Sequence, residues 1–146
     1  MNKLNIFIAT PISGFDDENS YVQYRNSVLK MIQELRKEHI IFSEIENFVK
    51  LDSYDDPKTS ALKDFNMILK SDVFIWMHPN KMQTSAMIEL GYALAHKKNI
   101  IIISQKDYLP FLALGLCDVI DNVKLIETST INHDITNKVL SFLKNW

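Results

Sequence analysis

Four short runs of branched and aromatic residues constrain this chain most: LNIFIA (4–9), HIIFS (39–43), DVFIWM (72–77) and NIIIIS (99–104), with a weaker fifth, VKLIE (123–127). Apolar residues follow one another in each run without polar alternation, the pattern of strands covered on both faces in a parallel sheet. Parallel strands need crossovers, and the intervening segments supply them with a helical period. Over 20–38, Tyr21, Tyr24, Val28, Met31, Ile32 and Leu35 fall on one face. Ser20 and Gln23 have the spacing of a capping box, which predicts the start there. Over 57–70 the stripe is Ala61, Leu62, Phe65, Ile68 and Leu69, with Asp56 as cap and Pro57 in the first turn. A helix is expected within TSAMIELGYALA (84–95), and a last one over 130–144 through Ile131, Ile135, Val139, Phe142 and Leu143.

The resulting order is β-α-β-α-β-α-β-β-α. It predicts a doubly wound α/β fold, flavodoxin-like (Rossmann-like), with a five-stranded, mainly parallel sheet and helices on both faces. No linker, repeat or low-complexity tract divides residues 1–146, so a single domain is expected. Ligands of such sheets lie beyond the carboxyl ends of the strands, which directs attention to the loops from Thr10, Ser43, Met77 and Ser104.

Composition narrows the partners. A net charge of −2 with no basic cluster gives no footprint for nucleic acid. Asp52, Asp55 and Asp56 gather before Pro57, as expected of a solvated loop. The one cysteine, Cys117 in LALGLCDVI, excludes an internal disulfide, fits a reducing compartment and reads as a small core residue. No run approaches the roughly 18 apolar residues of a membrane span, and the opening MNKLNIFIATP does not read as a signal peptide. A cytoplasmic protein without a membrane partner is expected.

Familiar cofactor loops are absent from the sequence. Its three glycines, Gly14, Gly91 and Gly115, form neither a dinucleotide-binding fingerprint nor a phosphate-binding P-loop. His39, His78, His96 and His133 lack metal-ligand spacing, so neither metal nor cofactor is expected. Two carboxylates remain. Glu89 stands in the middle of an otherwise apolar helix, either turned to water beside Lys81 or Lys97 or facing a cavity. Asp64 shares a column with Ala61 and Ile68, and either pairs on the surface near Lys63 and Lys70 or points with Glu89 toward the third strand's end. Paired carboxylates without metal or phosphate loop suit chemistry at a sugar carbon, one as nucleophile and the other handling a proton.

The stretch IELGYALAHKKNIIIISQKDYLPFLALGLCDVIDNVKLIE (88–127) resembles the nucleoside 2-deoxyribosyltransferase family, which includes related nucleotide N-glycosidases. The family has an E-L-G-Y-A-L run, a buried strand, an acidic-Tyr loop, a small-residue helix and a D-N-V lead-in to the next strand. IFIATPISG (6–14) is similar to its first strand and loop, and LKDFNMILKSDVFI (62–75) to its helix-to-strand passage. The resemblance implies that Glu89 is the nucleophile that forms a glycosyl ester. It implies that Asp64 assists proton transfer to the base, and that Asn122 reaches the site from a neighbouring subunit of a homo-oligomer. It also places Phe7, Thr10, Ile12, Gln83 and Ser85 at the substrate, a nucleoside or nucleotide. Phe7 stands where a tyrosine is common, and Gln83 where an acidic residue usually holds the ligand. Thr84 and Ser85 could receive a phosphate at the helix N-terminus or simply cap it. Two alternatives accompany this reading: a TIR-like enzyme cleaving NAD, for which Ser85–Glu89 gives a loose match, and a non-catalytic nucleotide-binding or sensing module.

Overall fold

The structure is a computed structural model, and it describes residues 2–51 and 55–146. The runs form β1 (Asn5–Ala9), β2 (Ile40–Phe42), β3 (Val73–His78), β4 (Asn99–Ser104) and β5 (Val123–Glu127). All four neighbouring pairs are parallel and the spatial order is β2-β1-β3-β4-β5. Five helices accompany them: α1 (Glu18–Leu35), α2 (Pro57–Lys70), α3 (Ala86–Ala95), α4 (Phe111–Val119) and α5 (His133–Leu143). This is the flavodoxin-like order, whose topological switch falls between β1 and β3.

The strands alternate between two cores. Ile6, Ile8, Val73, Ile75, Met77, Ile101 and Ile103 pack against α1 and α5. Phe7, Ala9, Phe74, Trp76, Ile100 and Ile102 pack against α2, α3 and α4. Every residue of β3 is buried, as the unbroken run VFIWMH requires of a central strand covered twice.

The sheet is parallel throughout, and α4 is the crossover missing from the order read off the residues. Parallel β4 and β5 cannot be joined by a hairpin. The segment FLALGLCDV has no polar face to give it a helical stripe, although the family resemblance did imply a small-residue helix in this region. The start of α1 also differs. Asp17, not Ser20, is the N-cap, and its carboxylate accepts the Ser20 backbone N–H at 2.7 Å. Asp56 caps α2 as expected, accepting from the Thr59 N–H at 3.0 Å. Of the expected α2 stripe only Ile68 is fully buried, while Leu62 and Leu69 are exposed. Asn132 caps α5, so Ile131 precedes the helix instead of belonging to it. Asp52 lies outside the described residues; Asp55 and Asp56 are exposed.

Gly14 ends the loop after β1 with φ at +82°, and a Cβ there would come within 3.3 Å of Met82. Glycine lets the chain turn under the segment leading into α3, which brings the two loops together above the switch point.

Candidate active site

A pocket of about 120 Å³ opens beyond the carboxyl end of β1, lined by β1 itself, the loop Thr10–Ser13, Glu44, and residues of α2 and α3. Ser60, Asp64, Ser85 and Glu89 line it and also a wider adjoining cavity of about 470 Å³ that reaches Pro57, Phe65 and Ile88. The two form one cleft between α2 and α3.

Each wall has a local cause. Phe7 is buried in β1, stacked on Phe74 at 5.6 Å between ring centres and tilted against Phe42 at 5.2 Å. Thr10 shares a 2.6 Å hydrogen bond with the Tyr24 hydroxyl, which ties the loop to α1. Burial pushes the Tyr24 phenol above its ordinary value, so it stays a neutral partner. Ile12 is half-buried beside Thr10. Thr84 accepts the Ala86 N–H at 3.3 Å, and Ser85, the residue before α3, makes no side-chain cap bond.

Glu44 is held by a clamp. It lies in a one-turn 3-10 helix, Glu44–Glu46, directly after β2. Arg25 of α1 donates to the carbonyls of Ile45 and Glu46, each at 3.0 Å, and Arg36 pairs with the Glu46 carboxylate. The buried Ser43 hydroxyl donates to the Ile8 carbonyl at 2.9 Å. The free end of Glu44 meets Lys63 of α2 at 3.0 Å.

Three carboxyl groups therefore share the pocket. Burial pushes Glu89 up to about 8, with the charges of Asp64 and Glu44 adding to it. Burial, then the charge of Glu44 and hydrogen bonding to it, raise Asp64 to about 7 against the opposing pull of Lys63. Asp64 Oδ1 is enclosed and has no hydrogen-bond partner among the described residues. A pocket that disfavours charge on two acids is suited to a ligand that supplies positive charge or takes up a proton. No group of three His, Cys, Asp or Glu among the described residues could hold a metal ion.

Comparison of the structure with solved proteins finds the Clostridium botulinum CMP N-glycosidase BcmB, at a TM-score of 0.69 and 20% identity over 93% of this chain and 98% of that one. The chain has the fold of a CMP N-glycosidase. The solution structure of BlsM matches as well, at a TM-score of 0.74 and 18% identity over 97% of this chain and 91% of that one. By sequence, no family model and no curated relative matches. The fold match agrees with the resemblance read from IELGYAL, since that group includes nucleotide N-glycosidases.

Within this fold Glu89, Asp64, Phe7, Thr10, Ile12 and Ser85 come together at one pocket. Two others do not join them. Gln83 is exposed and outside the lining. Asn122 stands just before β5, at the amino end of the sheet, and its amide donates to the Lys98 carbonyl at 2.6 Å. In one chain it is thus at the opposite end of the strands from Glu89. Glu44 and Ser60 line the pocket but carry no motif. Glu44's one sequence signal is its place directly after the loop-initiating Ser43.

Proposed function

We propose that this chain cleaves the N-glycosidic bond of a nucleoside or nucleotide with retention, through a glycosyl ester on Glu89. Ionised Glu89 attacks C1′, the C1′–N bond breaks, and its electron pair leaves with the base as Asp64 donates a proton to a ring heteroatom. Water, or the nitrogen of a second base, then attacks C1′ and releases Glu89. The observation that carries the proposal is the meeting of Glu89 and Asp64 from different helices in one pocket, where both are held above the ordinary carboxylate range. The fold shared with the CMP N-glycosidase BcmB supports it.

Assembly is part of the proposal. Helix α4 leaves Phe111, Leu112 and Val119 at 88%, 81% and 77% exposure, an apolar surface fit for a second copy of the chain. That contact is also what Asn122 would need in order to serve a neighbouring site.

The test is chromatographic. Purified protein and a Glu89→Ala variant receive CMP, a deoxynucleoside with a different free base, or NAD. Free base or an exchanged nucleoside, made only by the parent protein, is the expected result, with the variant at least about 10³-fold slower. Nicotinamide release alone would move the assignment to an NAD-cleaving enzyme. Ligand binding without turnover would leave a sensing module, a reading favoured by one feature: the acid form of Glu89 could donate a hydrogen bond to a ribose hydroxyl.

A further inference from the structure

Glu44 has no part in the reaction written above, yet it is the third carboxyl of the pocket, with the Lys63 ammonium 3.0 Å from it. Its turn is fixed from α1 by Arg25, and its carboxylate is fixed from α2 by Lys63. Lys63 precedes Asp64 in sequence, so the residue that pairs with Glu44 adjoins the residue that Glu44 faces in the pocket. The Glu44 side chain is 16% exposed, whereas that of Lys63 is 38% exposed. The pair is therefore an anchored inner anion with its cation at the rim.

The site needs a proton donor at neutral pH, and an isolated aspartate is a poor one because it is already ionised. Beside an anchored anion, in an enclosed space, the neutral acid form of Asp64 persists to higher pH than that of an isolated aspartate. The enclosed, unpartnered Asp64 Oδ1 agrees, because a full negative charge on an unsolvated oxygen is the expensive state. The remaining charged groups around Asp64 are Lys63 on its own helix, Asp55 ahead of that helix, and Glu89 across the cleft on α3. Of these only Lys63 opposes the proton, and it is also the cation paired with Glu44.

We propose that Glu44 is a positioning residue which, anchored as an anion by Lys63, keeps on Asp64 the proton that the departing base takes up. This rests on the N-glycosidase assignment for its purpose but not for its physics. As the base leaves, the electron pair of the C1′–N bond moves onto it and the Asp64 proton bonds to one of its heteroatoms. Asp64 is then a carboxylate beside Glu44, and the repulsion between the two favours recovery of a proton from the attacking water. Direct burial and the Glu44 charge both raise Asp64, in keeping with this arrangement.

The proposal predicts opposite effects from two substitutions, read without turnover. In the unliganded protein carrying ¹³C-labelled aspartate, the Asp64 carboxyl is titrated by NMR in the parent, Glu44→Gln and Lys63→Met. Asp64→Asn assigns the resonance. Glu44→Gln is expected to lower the Asp64 midpoint by about one pH unit or more, and Lys63→Met to raise it. An Asp64 midpoint that Glu44→Gln leaves unmoved or raises would overturn the proposal, whatever Lys63→Met does. Because loss of the Lys63 charge raises Asp64 whatever Glu44 does, Glu44→Asp, which keeps the anion and is expected to keep the midpoint, makes the test decisive where Glu44→Gln destabilises the turn. Where the parent turns over CMP or a deoxynucleoside, the acidic limb of its pH profile, which Asp64 sets as the lower-titrating of the two groups, must move in the same two directions. Absence of turnover would remove the N-glycosidase assignment while leaving the NMR result to stand or fall alone.

Discussion

Glu89 and Asp64 must be in opposite charge states for the proposed reaction, and the pocket orders them the less favourable way. Burial pushes Glu89 up to about 8 and Asp64 up to about 7, so the working form, Glu89 ionised with Asp64 protonated, is a minority state near neutral pH. The expected kcat/KM profile is a narrow bell with its maximum at about pH 7.5, measured from pH 5.5 to 9.5 on whichever substrate is cleaved. Stability should carry the same imprint. Both groups bind protons more tightly folded than unfolded, so between about pH 4 and 8 the native state holds more protons and stability falls as pH rises. Glu89→Gln and Asp64→Asn remove that loss. Each variant should outlast the parent in urea at pH 8.5, by on the order of 1–3 kcal/mol, with the gap closing toward pH 4.5. At this scale Glu89 was legible because a charge in an apolar helix demands an explanation. Glu44 was not, because EIE after a strand looks like any solvated turn until Arg25 and Lys63 are seen to hold it.

The helices differ in how plainly they announce themselves. Helix α2 carries its start in the letters DP, and the structure follows them. For α1 the letters pointed to Ser20 while the structure caps the helix at Asp17, and the difference is testable. Asp17→Ala should lower the thermal midpoint, since it strips the acceptor from the Ser20 N–H, while Ser20→Ala should leave it nearly unchanged. A larger loss for Ser20→Ala would restore the capping box. Helix α4 could not be found from periodicity, because a helix with Phe111, Leu112 and Val119 in the open breaks the rule that apolar residues mark the buried face. The same explanation covers Leu62 and Leu69 on α2, which read as core and lie outside. Buried and exposed apolar residues look alike in a sequence.

At the scale of the whole molecule, strand identity was readable and strand neighbourhood only by analogy with known doubly wound sheets. The composition of NIIIIS says that the strand is buried, not that it lies between β3 and β5. The exposed face of α4 gives the prediction proper to this scale. Phe111→Glu is expected to lower the sedimentation coefficient of the purified protein by dissociating an assembly that the parent forms, with its circular dichroism unchanged. A parent protein that sediments as a monomer would refute the assembly and with it a cross-subunit task for Asn122. The parallel order has a further consequence for how the chain comes into being. No strand can pair with its sequence neighbour until a crossover has closed, and β3 pairs with β1 across more than sixty residues. During synthesis β1 and β2 emerge early, with the inner edge of β1 unpaired until Val73–His78 follows. The ribosome thus delivers the centre of the sheet after one of its flanks, and for that interval the nascent chain carries an open apolar edge that only its own later half can close.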